Sequence, residues 1–207
     1  MKFLRSPVCL VILALGSGCA LLTKSEPVIP RYFSPESVDA PGPRATATGL
    51  ELRLGRVNSD AYIKDRLVYR DSEFEVGYYD DRVWTDKPEA YVRRALARAL
   101  FDERGVTQQL SGVGATLEVD VVAFEEVLKP VHLARVKLVY EIYDDRVVRL
   151  SRSVVVERPI LASKGDAAAS DAVQAISLAL VAAVDAVADA AAAELRSEET
   201  AATKVAR

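Results

Sequence analysis

Three late segments of the chain alternate apolar and polar residues with a period of two, and this pattern constrains the fold most strongly. Leu117, Val119, Val121 and Ala123 alternate with Glu118 and Asp120. Ala134, Val136, Leu138, Tyr140 and Ile142 alternate with Arg135, Lys137 and Glu141. Val148, Leu150, Val154 and Val156 alternate with Arg149, Ser151 and Ser153, and Arg152 interrupts the apolar face, as at a sheet edge. A period of two belongs to strands with one buried face. Asp144-Asp145 supplies a turn between the last two segments, so they are expected as an antiparallel hairpin.

Upstream, Leu50, Leu52 and Leu54 show the same alternation, and Arg66–Arg70 and Phe74–Tyr79 read as two further strands joined by Asp71-Ser72. Phe74, Val76 and Tyr78 are expected on one face. A helix follows, with Asp86 as its cap, Pro88 in the first turn and Glu89 completing a capping box. Val92, Leu96, Ala99 and Leu100 form its apolar stripe, Glu89–Arg93 and Arg98–Asp102 form ion pairs, and Gly105 ends it. A second, longer helix is expected from Asp166 to Arg196, with Val173, Ile176, Leu180, Val184, Val187 and Ala191 inward. Its longest uncharged stretch, Ala172–Val184, has 13 residues, too few to cross a bilayer. Leu178 and Val181 lie on its outward side, as scattered surface residues or as a subunit contact. The order β-β-β-α-β-β-β-α predicts one α+β domain over residues 50–196. Its expected sheet is mostly antiparallel, of about six strands, with both helices on one face.

Chemistry is sparse in these 207 residues. The two cysteines, Cys9 and Cys19, both precede the domain, and His132 is the one histidine. No metal site, thiol chemistry or cofactor is therefore expected. Ser111-Gly112-Val113-Gly114 lacks the third glycine of a dinucleotide loop, and neither a Walker loop nor a Gly-x-Ser-x-Gly elbow occurs. His132 follows Lys129-Pro130-Val131 in a connection and reads as a surface or structural residue. The acid pairs Asp80-Asp81, Glu125-Glu126 and Asp144-Asp145 read as turns and strand ends, because neighbours on a strand point to opposite faces. A net charge of -3 gives no basic surplus for nucleic acid. The chain is expected not to be an enzyme. A hydrolase would need an apolar pocket with convergent polar groups.

The first residues read as an address. Lys2 and Arg5 precede the apolar run Val8–Leu15 and the small residues Gly16, Ser17 and Gly18, the layout of a secretory signal over residues 1–18. Leu15-Gly16-Ser17-Gly18-Cys19 resembles a lipobox, with Gly16 where leucine is commonest. The resemblance implies that Cys19 is acylated and becomes the first mature residue; the alternative is plain cleavage near Gly18. Several acyl chains on one cysteine would hold permanently, unlike one. Ala20, rather than aspartate, follows the cysteine and implies the outer membrane. Loss of Lys2 and Arg5 leaves 25 of the 27 basic residues against 30 acidic ones, so the mature charge is -5 and lipid must do the anchoring. From Cys19 to Gly49 five of the nine prolines gather, which suits an extended spacer, with a short strand allowed at Tyr32–Phe33. Residues 197–207 read as a polar, mobile tail.

One run stands out: Asp65-Arg66-Leu67-Val68-Tyr69-Arg70, Glu75-Val76-Gly77-Tyr78-Tyr79, Arg82-Val83-Trp84-Thr85-Asp86-Lys87-Pro88, and the helix with Arg94-Ala95-Leu96-Ala97-Arg98-Ala99-Leu100. It resembles the ABC-type transport auxiliary lipoprotein family over about residues 31–195. The marks are a strand ending in Tyr-Arg, an Arg-x-Trp, a proline and an alanine/leucine helix. The resemblance implies a non-catalytic outer-membrane lipoprotein facing the periplasm. Its implied partners are an MCE-domain protein, an ABC permease and an ATPase that move lipids or other apolar molecules; the charge balance, separately, leads to no nucleic-acid partner being expected. A lipoprotein activator of another envelope machine, such as a cell-wall synthase, shares the anchor and spacer. Arg82, Trp84, Leu178 and Val181 are candidate partner-binding residues. Trp84 has a competing role as a core aromatic at the turn from strand to helix. Homo-oligomerisation is expected through Leu178 and Val181.

Overall fold

The three late alternating segments form one arm of a mixed sheet, with the last of them at its edge. The computed structural model describes residues 27–36, 45–145, 147–161 and 166–205. The expected signal segment, Cys19 and the start of the spacer lie outside the described residues. The elements are β1 (Arg31–Phe33), β2 (Glu51–Ser59), β3 (Arg66–Arg70), β4 (Val76–Trp84), α1 (Pro88–Ala97), β5 (Thr107–Gln108), β6 (Thr116–Val127), β7 (Leu133–Asp144), β8 (Val147–Pro159) and α2 (Asp166–Val205). A π-helical segment, Arg98–Glu103, extends α1.

β6 is the hub. One of its edges carries β7 antiparallel, and β8 follows antiparallel on β7. Its other edge is shared: β2 pairs with its first half and β3 with its last three residues, both parallel. β4 joins β3 antiparallel, while β1 on β4 and β5 on β2 are parallel. The sheet among the described residues therefore has eight strands rather than six, and four of its seven ladders are parallel. Reading sequence neighbours as hairpins missed this. The excursion through β3, β4 and α1 returns the chain beside β2 in the same direction, as crossovers do.

Both helices lie on one face: α1 packs on β2 and β6, α2 on β6, β7 and β8, and the helices touch each other. Between them and the sheet lie Leu52, Leu67, Trp84, Tyr91, Leu96, Leu100, Leu117, Phe124, Leu138, Ile142 and Ile176. Trp84 is 3% exposed, and its ring meets Phe124 edge-on at 5.4 Å and Tyr91 at 6.3 Å. The opposite face is polar, with cross-strand pairs such as Arg56–Glu118, Asn58–Asp120 and Arg135–Glu157.

Several local expectations change. Phe74 belongs to the β3–β4 turn and is 91% exposed; β4 starts two residues later and runs on to Trp84. Lys87, not Asp86, holds the N-cap position, without a side-chain cap. Asp86 instead accepts from Arg94 at 2.8 Å, and Glu89 accepts from Ser59 on β2 at 2.7 Å. Arg93 donates to the Gly55 carbonyl, so the helix surface is tied to the sheet rather than to itself. The π segment places Arg98 near Glu103, at 3.3 Å, instead of the expected Asp102. Gly105 ends this stretch at φ +64°, and a Cβ there would run into the Thr46 carbonyl.

Residues before Gly49 and after Ser197 also join elements of the fold, with the short strand allowed at Tyr32–Phe33 present as β1. β1 zips onto β4, Glu36 meets Arg94 at 2.8 Å, and Ala45 and Thr48 hydrogen-bond to Asp102 and Gly105. Prolines suggested an unattached stretch, yet edge strands and connections tolerate them. α2 runs to Val205, ten residues past the buried Leu195, because alanine and glutamate sustain a helix.

Trp84→Ala is expected to cost about 3–5 kcal/mol, as removal of a buried aromatic does. Denaturant unfolding followed by circular dichroism measures it; a cost below about 1 kcal/mol would contradict the packing.

Candidate functional site

The residues of the distinctive run converge on the second half of β6. Register in β6 shifts between Val121 and Ala123, leaving Val122 as a bulge. Val121 faces the core before the bulge and Phe124 after it. The parity of the strand is therefore reversed, and Glu125 and Glu126 point to opposite faces. Both are buried, at 1% and 3% exposure. Tyr62 donates to the bulged Val122 carbonyl at 2.6 Å, and Asp60 N–H to that of Val121 at 3.0 Å. Burial, with Glu125 adding to it, pushes the Tyr62 hydroxyl up to about 12.

On the polar face, Arg70 grips Glu125 with two bonds, of 2.8 and 3.0 Å, and Arg135 adds a third at 3.4 Å. On the helix face, Arg82 meets Glu126 at 3.2 Å, and His132 meets its other oxygen at 2.7 Å. The Arg82 guanidinium lies 3.7 Å from the centre of the Tyr79 ring. Gly77 leaves space for the Tyr69 ring, which a Cβ would strike. The Tyr-Arg and Arg-x-Trp marks are thus two braces: Arg70 and Arg82 each neutralise one buried carboxylate, and Trp84 packs on Phe124 between them. His132 belongs to this brace rather than to an isolated surface position. The Glu125-Glu126 pair occupies a strand end, as its sequence suggested, but works as paired buried charge.

A second feature lies at the other end of β6, where β7 ends and β8 begins. A cavity of about 180 Å³, open on one side, is lined by Arg53, Val113, Thr116, Tyr143 and Asp145 together with the glycines of the 109–115 loop. Arg53 donates to the Gly112 carbonyl, while its Nε and the Oε1 of Gln109 are buried without protein partners. Leu110, Val113 and Val147 surround this end at 84%, 81% and 68% exposure. Glu118 lies on the same face. Hydrogen bonds from Arg56 hold its carboxyl below the usual carboxylate range, with a further bond from Tyr143. Burial and then Glu118 push the Tyr143 hydroxyl up. Sequence reasoning passed over this rim because its Gly-rich loop was tested only as a nucleotide site.

The candidate residues do not form one surface. Arg82 and Trp84 belong to the brace, with the Arg82 side chain 17% exposed. Leu178 and Val181 lie on the outward side of α2, at 56% and 44% exposure. Cys19 lies outside the described residues. No group of three or more potential metal ligands gathers among the described residues.

The profile of ABC-type transport auxiliary lipoprotein components matches residues 34–192. The chain belongs to this family. Comparison with curated proteins finds no match. Among solved structures, a Xanthomonas campestris protein of the family DUF330 superposes with a TM-score of 0.66 at 19% identity, covering 82% of this chain and 99% of its own. A Chlamydia trachomatis protein, CT253, gives 0.51 at 5% identity, covering 73% and 98%. At such identities the likeness is one of fold. The family is one of transport auxiliary lipoproteins.

Two outcomes test the brace and the rim. Glu125→Ala would leave Arg70 and Arg135 facing a buried vacancy, at an expected cost of about 3–5 kcal/mol, read by urea unfolding. Glu118, whose carboxyl is depressed in the folded state, contributes stability that is present above its unfolded value and lost as pH falls through the folded one. Glu118→Gln should therefore flatten the acid limb of a stability–pH curve; an unchanged slope would remove Glu118 from that role.

Proposed function

We propose that the chain is the outer-membrane lipoprotein of an ABC transport system, docking a periplasmic MCE-domain assembly whose permease and ATPase sit in the inner membrane. Acylated Cys19 anchors it, and the domain carries no chemistry of its own. The cargo is a lipid or another apolar molecule passed along the assembly.

The opposition of the two ends of the domain supports this reading. β1 runs parallel to β4, so the residues before Arg31 lead back toward the start of β4, the end with the β3–β4 turn. The rim with the cavity and with Leu110, Val113 and Val147 lies at the far end of the sheet. A chain tethered at one end and apolar at the other suits a post that presents its free end to a partner. A cavity of about 180 Å³ is small against the 300–1,000 Å³ typical of ligand pockets, and it suits a single protruding side chain better than a lipid. The partner-binding role weighed for Arg82 and Trp84 is assigned here to this rim, because Trp84 is buried and Arg82 largely so in the brace on the other half of β6. Leu178 and Val181 suit a contact between copies of the chain, as α2 presents them away from the sheet.

Affinity capture of the intact lipoprotein should recover an MCE-domain protein. Val113→Asp should weaken capture at least tenfold while melting stays unchanged, since the side chain is 81% exposed. Recovery of a cell-wall synthase in its place would transfer the anchor and post to another machine, and undiminished capture by Val113→Asp would clear the rim. Leu178→Asp should convert any oligomer seen by light scattering to monomer; a wild-type monomer would end the self-association reading.

A further inference from the structure

The end from which the tether departs carries its own set of exposed apolar side chains. Three connections meet there. Leu128 N–H bonds to the Arg70 carbonyl at 2.8 Å, and Lys129 Nζ meets Asp71 at 3.0 Å, joining the β6–β7 connection to the β3–β4 turn. Ile160 N–H bonds to the His132 carbonyl at 3.1 Å, joining the segment after β8 to the same connection. Each connection raises one large apolar residue: Phe74 is 91% exposed, Val131 59% and Leu161 82%. Val28 and Ile29, on the segment leading into β1, are 58% and 80% exposed.

Single exposed apolar residues are ordinary on a protein surface. Here three occupy adjoining tips, and the chain that leads to Cys19 leaves in the same direction. Pro27 is eight residue steps from Cys19, a reach of at most about 28 Å. β6 alone is about 40 Å long at ~3.3 Å per residue. The tether thus brings the near end to a bilayer with slack to spare, while the rim around Val113 stands away from it. Glu73 and Glu75 flank Phe74, with Lys129 and Arg158 nearby, so charge of both signs surrounds the tips. Attraction to anionic headgroups is not what this end offers. An aromatic and two aliphatic tips suit shallow burial at the boundary between headgroups and acyl chains.

We propose that Phe74, Val131 and Leu161 form a membrane-seating surface that sets the domain end-on against a zwitterionic phospholipid bilayer. The tether then anchors, and these tips orient. The orientation directs the Val113 rim away from the lipid toward the periplasmic partner. This inference rests on the acylation of Cys19.

The test uses the intact, processed lipoprotein, whose acylated Cys19 leaves no free thiol once Cys9 has gone with the signal segment. Phe74→Cys, Leu161→Cys and, at the far rim, Val113→Cys are each labelled with an environment-sensitive fluorophore. They are reconstituted into phosphatidylcholine vesicles with and without brominated lipid. Circular dichroism confirms that each variant is folded. The expected result is blue-shifted emission at positions 74 and 161, quenched at least twofold by the brominated lipid, and water-like unquenched emission at 113. Water-like emission at 74 and 161 in protein whose intact mass shows an acylated Cys19 would overturn the seating surface and leave the anchor standing. A blue shift without lipid quenching would assign these tips to a protein contact and overturn it equally. An intact mass showing a bare Cys19 thiol would defeat the anchor itself, and the seating surface with it.

Discussion

Val122 adds to β6 one residue that has no opposite number on β7, and the arrangement of the domain's centre follows from that insertion. Before it, odd positions face the helices; after it, even ones do. The switch keeps Phe124 in the core beside Trp84 and assigns Glu126 to the helix face and Glu125 to the polar face. Without the bulge Glu125 would enter the core beside Trp84, and Phe124 would be turned out onto the polar face. The free carbonyls that a bulge leaves are met by Tyr62 and by the Asp60 amide, so the loop after β2 completes it.

Burying two carboxylates in consecutive positions is costly unless each finds a cation and further hydrogen bonds. Arg70 and Arg135 serve Glu125, while Arg82 and His132 serve Glu126. These partners come from β3, β4, β7 and the β6–β7 connection, so four parts of the chain are held in one register by charge as well as by backbone pairing. The parallel β3–β6 ladder is only three residues long, and the bidentate Arg70–Glu125 pair fastens this short ladder. The residues that carry the family resemblance are therefore structural in this chain, and their spacing reflects where β6 must be gripped.

The sequence was legible where periodicity decides and opaque where distant pairing does. Alternation in 117–123, 134–142 and 148–156 marked β6, β7 and β8, and Asp144-Asp145 marked their turn; local spacing suffices for these. Pro88, the apolar stripe and Gly105 marked the first helix and its end. The parallel partners of β2 and β3 were not readable, because nothing local distinguishes a strand that pairs with its neighbour from one that waits for β6. Asp86 looked like a cap, but Arg94 claims its carboxylate from the next turns of the helix. Val122 carried no signal at all: one extra valine in an apolar run looks like continuity. The roles of Glu125 and Glu126 could not be assigned without it, and the far-end cavity needs Arg53, Thr116, Tyr143 and Asp145, which are brought together only by folding.

The division of labour along the strand axis then follows from burial. At the tether end, the braces pair the buried charges, and the tips raise apolar side chains among exposed charges such as Glu73 and Glu75. At the far end, Arg53 keeps an unpartnered Nε beside a loop of glycines, and Leu110, Val113 and Val147 stand clear of the core. α2 spans both ends: it begins beside the first and, at 1.5 Å per residue over 40 residues, is about 60 Å long, which outruns the sheet beyond the second. Arg149 at the start of β8 meets Glu198 near the end of that helix, and Arg104 ties the π segment to Asp185 and Asp189, about two and a half to three and a half turns earlier. The far rim is thus built on a helix fixed by charge to both β8 and the π segment. The hydrogen-bonded length of β6 and this helix run between the two ends, and the buried braces at the opposite end oppose shear between β3, β4 and β6. The paired charges thus stiffen the domain along one axis, from the braces at one end to the helix-backed rim at the other.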